Sequence, residues 1–146
     1  MKKHLYIVGI DGSDWSERAA ERAVNLAEST GAKVKLLYVM NDLSGVQPVG
    51  IGAIAVPVID KDQEEKNVID HVLTPLVAKL ASSDVDVDSE FIWGDPAEII
   101  QKQVKDGHAN MLFVGRRGRS RFADILLGSV ANKLAHSIGV PIVLVP

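Results

Sequence analysis

The sequence predicts an α/β fold: a doubly wound, Rossmann-like sheet of five parallel strands with helices on both faces. Three observations carry that prediction. Five short apolar runs recur along the chain: "LYIVGI" (5–10), "VKLLYVM" (34–40), "VDSEFIW" (87–93), "MLFVG" (111–115) and "PIVLV" (141–145). Three of them are almost unbroken stretches of Val, Ile and Leu, as expected of a strand covered on both faces. Helical patterns fill the gaps, so the order reads β-α-β-α-β-α-β-α-β, which calls for right-handed crossovers.

Each element has its own justification. Residues 5–10 and 111–115 are strands by continuous hydrophobicity, whereas 87–93 alternates and belongs nearer an edge. In 14–30, Ala20, Ala23, Val24 and Ala27 follow the i, i+3, i+4, i+7 spacing of one buried helix face. Asp14 with Glu17 suits a capping box, and Gly31 a C-terminal stop. In 61–81, Val68, Val72, Leu76 and Leu80 recur every four residues, and Pro75 is expected to kink or interrupt the helix. In 95–106, Asp95, Pro96 and Glu98 supply an N-cap, a proline at the first helical position and a capping acid. In 129–138, Val130, Leu134 and Ile138 form the stripe, and Gly139 ends it.

The chain of 146 residues fits one domain, 1–146, with no internal repeat. Hydrophobic residues make up 47% and charged residues 24%, the balance of a soluble globular protein. Cysteine is absent, which excludes disulfides, thiolate nucleophiles, iron–sulfur clusters and cysteine zinc sites. The net charge of −3 argues against nucleic acid as a partner. The apolar start ends at Asp11, too short for a signal peptide, and no run approaches the roughly 18 residues of a membrane span. A cytoplasmic location with no membrane partner is expected. The irregular segment 43–58, "LSGVQPVGIGAIAVPV", reads equally as a disordered or partner-packed insert and as a flexible lid over a site.

In an open α/β sheet, ligands sit beyond the carboxyl ends of the strands. Two stretches fall there: "GIDGSD" (9–14) after the first strand, and "GRRGRSRFADILLGSV" (115–130) after the fourth. Gly115 and Gly118 suggest positive-φ bends that let a ligand approach the main chain. Gly128 and Ser129 stand where the last helix begins, and unpaired helix N–H groups suit phosphate. Four of the six arginines, at 116, 117, 119 and 121, lie between these glycines. They offer phosphate donors, or else they are a solvated loop. Asp11 suits ribose hydroxyls, or a turn with Gly12 and Ser13.

The pattern Gly115, two residues, Gly118, nine residues, Gly128, Ser129 resembles the signature of nucleotide-binding members of the universal stress protein family. The likeness extends over essentially the whole chain, through "VGIDGSDWSERAAERAVNLA", "VKLLYVM", "GDPAEIIQ" and "LLGSVANKLAHSIGVPIVLVP". The resemblance implies an adenine nucleotide alpha hydrolase-like fold with ATP, with or without Mg2+, across the strand ends. It implies that Asp11 contacts ribose near the adenine pocket and that the Val39 backbone bonds adenine. Gly115 would lie beside the ribose, and Gly118, Gly128, Ser129 and Val130 would hold the phosphates. The neighbouring Gly9, Ile10, Val114 and Arg116 complete the expected cofactor-binding set. Gly9 departs from the proline common at that place in the family. A homodimer through the last strand, 141–146, and a role in the stress response are also implied.

Dedicated catalysis lacks a signature. There is no Walker-type Gly-Lys-Ser/Thr and no Gly-x-Gly-x-x-Gly. The histidines at 4, 71, 108 and 136 are scattered. Asp124 is the one candidate for positioning a water or Mg2+. Slow ATP hydrolysis at most is expected, with the nucleotide acting as a bound signal.

Overall fold

The computed structural model describes residues 2–42, 60–82, 84–118 and 127–146. The segment 43–58 and residues Arg119, Arg121 and Asp124 lie outside the described residues. Five strands form one parallel sheet: β1 (Leu5–Ile10), β2 (Lys33–Met40), β3 (Val87–Trp93), β4 (Met111–Gly115) and β5 (Ile142–Val145). Their order is β3-β2-β1-β4-β5, so the winding reverses between β1 and β4. The alternating run at 87–93 is indeed an edge strand. Its polar Asp88 and Glu90 face Lys33 and Lys35 of β2 in ion pairs.

One face of the sheet carries α1 (Asp14–Thr30) and the helical segment 61–80; the other carries α4 (Pro96–Asp106) and α5 (Ser129–Ser137). Strand parity explains the division. Tyr6, Val8 and Ile10 of β1 point to the first face, while Ile7 points to the second with Leu37 and Leu112. The small stripe Ala20, Ala23, Val24 and Ala27 is buried, as its spacing predicts, and lets α1 lie close to the sheet. Phe113 and Tyr6 meet edge to face with centroids 5.5 Å apart. Each such side chain removed from water contributes about 1.5–3 kcal/mol.

One local expectation is corrected and a second takes a specific form. The N-cap of α1 is Ser13, not Asp14: the Ser13 hydroxyl accepts from Ser16 N–H, and Asp14 begins the helix. Asp11 Oδ1 accepts from Ser13 N–H at 2.9 Å, and Gly12 takes φ 83°, so the turn ends on the serine. Pro75 interrupts the regular α-helix, as expected, without ending it. Between α2 (Lys61–Val68) and α3 (Thr74–Leu80) the chain makes one widened π-helical turn, Ile69–Leu73. Thr74 N–H bonds Ile69 O across five residues, which makes room for the proline ring. The Asp95 cap is as expected, with its carboxylate accepting from Glu98 N–H at 3.1 Å.

Candidate functional site

The winding reversal leaves a crevice at the carboxyl ends of β1 and β4, where neighbouring connections leave on opposite faces. A cleft of about 750 Å3, counting its part open to solvent, lies there. Its walls come from two connections and the elements they join.

The β1 side is held by its own side chains. Asp11 N–H donates to Ser16 Oγ at 3.3 Å, and Ser16 Oγ–H donates to Ser13 O at 2.9 Å. Tyr38 Oη donates to Asp11 O at 3.4 Å, fixing the turn to β2. The carboxylate of Asp11 is therefore placed by a local network, with Oδ1 on Ser13 and Oδ2 towards Gly118.

The β4 side is held by its main chain. Arg116 N–H donates to Val145 O at 2.7 Å, and Gly128 N–H donates to Arg116 O at 2.9 Å. The connection thus closes on itself, its exit bonded to its entrance. Gly128 is the N-cap of α5, with φ −62°, ψ 155° and no side-chain cap. Asn132 N–H makes the first helical bond, to Gly128 O. The amides of Ser129, Val130 and Ala131 precede it and have no partner within the helix.

Close approach explains Gly115 and crowds Gly118, and this corrects their expected backbone role. Neither Gly115, Gly118 nor Gly128 has positive φ. A Cβ at Gly115 would stand 2.7 Å from Trp15 Cβ and 2.8 Å from Arg117 O. One at Gly118 would stand 2.6 Å from Asp11 Oδ2. Glycine is demanded because chain segments distant in sequence nearly touch there.

Of the expected residues, Gly9, Ile10, Asp11, Val39, Val114, Gly115, Gly118, Gly128, Ser129 and Val130 line the cleft. Arg116 does not; its side chain is exposed while its backbone ties β5 to the loop exit. The neighbouring Arg117 lines the cleft instead. Sequence reasoning missed Ser16, Leu37, Pro96, Ile100 and Ala131. Leu37 was accessible by parity, two residues before Val39 on the same strand face. Ile100 lies three residues after the buried Ala97 and four before Val104 on one helix face.

The arrangement is chemically two-sided. Leu37, Val39, Ile100 and Val114 make an apolar slot. Gly9 widens it, since a Cβ there would sit 3.2 Å from Val114 Cγ1 and 3.5 Å from Ile100 Cδ1. The other residues lining it are Gly115, Arg117, Gly118, Gly128 and Ser129, with Asp11 Oδ2 close to Gly118. Among the described residues, no group of three His, Asp or Glu side chains could hold a metal ion, and no helix is long and apolar enough to cross a membrane.

Comparison with known proteins agrees with this geometry. The sequence pattern of the family described as Usp, universal stress protein, matches residues 6–146. Universal stress protein YxiE of Bacillus subtilis (strain 168) is 30% identical over 142 residues, covering 95% of this chain and 96% of that protein. Two solved structures share the fold with a TM-score of 0.68. One is a universal stress protein in complex with cAMP, 22% identical, with 98% of this chain and 97% of that chain covered. The other is the universal stress protein from Archaeoglobus fulgidus in complex with dAMP, 18% identical, with 99% and 98% covered. With the profile matching nearly the whole chain and a full-length relative at this identity, the protein belongs to the universal stress protein family.

Proposed function

We propose that this chain binds an adenine nucleotide, ATP in the first instance, in the crevice between β1 and β4, and serves as a nucleotide-dependent regulatory protein. The observation that carries the reading is the pairing of an apolar slot with an uncapped helix start inside one cleft. A purine is flat, largely apolar on its faces and suited to the slot between Val39, Ile100 and Val114. A phosphate chain suits N–H donors at a helix start and on either side of glycines. Asp11 is the acceptor for ribose hydroxyls, and Gly118, Gly128, Ser129 and Val130 hold the phosphates. Glycine at 118 supports this, since any side chain there would fill the space between Asp11 and the loop. Mg2+ would arrive with the phosphates. Two related structures are in complex with cAMP and dAMP, which favours adenine as the base.

We further propose that the unit is one domain over 1–146, that it resides in the cytoplasm, and that it pairs with a second copy through 141–146. β5 is an edge strand with half-buried Ile142, Val143 and Leu144, the character that pairing would use. ATP hydrolysis is proposed to be slow at most.

The test begins with freshly purified protein, denatured and assayed for released adenine nucleotide. Stripped protein is then titrated with ATP by calorimetry. Affinity between about 1 μM and 1 mM, or −8.2 to −4.1 kcal/mol, is expected. No co-purifying nucleotide and no heat at millimolar ATP would reject the reading. Steady-state turnover with Mg-ATP separates a bound signal from a consumed substrate.

A further inference from the structure

Resting on that reading of the cleft, we propose that Arg117 is its phosphate-charge sensor: its guanidinium makes affinity rise with the number of phosphates. Arg117 Nε is shielded from solvent and has no hydrogen-bond partner. It is the only such buried side-chain nitrogen among the described residues. Other partly sheltered cations here are partnered. Lys33 pairs with Asp88 at 2.9 Å, Lys35 pairs with Glu90, and Lys61 pairs with Asp42 at 2.8 Å. A donor withdrawn from water without an acceptor is unfavourable, and native structures nearly always satisfy it. The position of Arg117 explains how the fold maintains it.

Its backbone is wedged between glycines. Arg117 O is 2.8 Å from where a Cβ of Gly115 would stand, and Arg117 Cα is 3.5 Å from that of Gly128. The bond from Gly128 N–H to Arg116 O pins the residue before it. Arg117 is half-buried where Arg116 is exposed, and it lines the cleft with Gly118, Gly128 and Ser129. A guanidinium offers a planar fork matched to two phosphate oxygens. The uncapped α5 amides offer weaker, neutral donors to the same anion. The amides hold a phosphate of any nucleotide, and the arginine adds attraction that scales with charge.

The experiment measures Kd for adenosine, AMP, ADP and ATP on wild type and Arg117→Met, with Arg117→Lys and the exposed-site Arg22→Met alongside. Wild type is expected to bind ATP more tightly than AMP, with the ATP affinity falling as salt rises. Arg117→Met is expected to lose roughly 10- to 100-fold for ATP, the range of a charge-assisted hydrogen bond. It should lose less than about 3-fold for adenosine and show a shallower salt dependence. Arg117→Lys, which keeps charge but not the fork, should lie between. Arg22→Met corrects for net charge and should match wild type. If wild type binds none of the four compounds, the nucleotide reading itself fails and the charge sensor with it. If wild type binds but Arg117→Met loses nothing, or loses adenosine and ATP equally, the nucleotide reading stands and the charge sensor is overturned. Should Arg117→Met fold poorly, Arg117→Lys and the wild-type salt dependence decide: identical salt response for ATP and adenosine overturns the proposal.

Discussion

Two helix starts face the same crevice, and they are built in opposite ways. At α1, Ser13 caps the helix, Asp11 bonds the amide of the cap, and Ser16 bonds back to both turn residues. At α5, Gly128 can offer no side chain, and among the described residues no side chain caps the first amides. α2 and α4 are capped like α1, by Asp60 and Asp95. A side-chain cap is worth about 0.5–2 kcal/mol. The chain forgoes it at α5, where Gly128 N–H bonds Arg116 O. The difference teaches how a fold separates stability from binding: the β1 side is satisfied internally and holds Asp11 still, while the β4 side stays open.

The comparison can be broken most severely at Gly115. Gly115→Val would place side-chain atoms inside contact distance of Trp15 Cβ and Arg117 O, at 2.7 and 2.8 Å from the Cβ itself. Both neighbours belong to packed backbone regions, so α1 and the β4 end must separate. A loss of about 2–4 kcal/mol in urea unfolding is expected, at the upper end for overpacking. A stability within 0.5 kcal/mol of wild type would mean that the close approach is not a constraint.

Next in size is the substitution that makes α5 resemble α1. Gly128→Asp fits the backbone, since φ is −62° and the nearest atoms to a Cβ would be Gly118 N at 3.4 Å, Arg117 Cα at 3.5 Å and Arg116 O at 3.7 Å. The carboxylate would cap the α5 amides and leave stability within a few tenths of a kcal/mol, because glycine is itself a tolerable N-cap. It would also occupy the donors proposed for phosphate and repel the anion. ATP affinity should fall at least about 10-fold, or 1.4 kcal/mol, with the fold intact. Gly128→Asn, a neutral cap, should weaken ATP less than the aspartate does. Unchanged ATP binding by both variants would remove the α5 start from the site.

How much of this was legible in the sequence follows the range of each interaction. Strand runs and the α1 stripe report burial, a property of each segment, and they fell within a residue or so of the elements found. The glycines line the cleft, but not with the positive φ expected of Gly115 and Gly118. Positive φ is a local property that sequence suggests, but the constraint at Gly115 is Trp15, one hundred residues earlier. The choice between Arg116 and Arg117 was equally hidden. It depends on how the chain bends after β4, which bonds to Val145 and Gly128 decide. In "DGSD", several residues can cap a helix, and the Asp11 turn with Gly12 selects Ser13.

Removing the closed start instead of the open one gives a smaller effect of a different kind. Ser13→Ala deletes the acceptor for Ser16 N–H, at 3.2 Å. A loss of about 1 kcal/mol in unfolding free energy is expected. Because Asp11 Oδ1 bonds the Ser13 main-chain N–H, which alanine keeps, Asp11 should stay in place. ATP affinity should then change by less than about 3-fold. A large drop in affinity with little loss of stability would reverse the assignment of roles between the two helix starts.

The smallest expected effect lies at the far edge of the sheet and calibrates the others. Lys33 of β2 pairs with Asp88 of β3 at 2.9 Å, and Asp86 stands 3.9 Å away. The hydrogen bond to Asp88, then its charge, raises the Lys33 pKa above the usual 10.5. A lysine whose folded pKa is raised adds stability that is fully present below its unfolded pKa. That stability disappears as pH climbs through the higher folded value. The window therefore lies above pH 10.5, and neutral pH lies on its stabilised side. Both side chains are 40% or more exposed, so solvent screening holds the contribution to a few tenths of a kcal/mol. Lys33→Met and Asp88→Asn in a double-mutant cycle should show that coupling at pH 7 and lose it as pH climbs through the raised Lys33 value or in 1 M salt. The pair is remote from the crevice, so neither variant should alter ATP affinity; a coupling above 1 kcal/mol would mean that the sheet edge is more rigidly paired than its exposure allows.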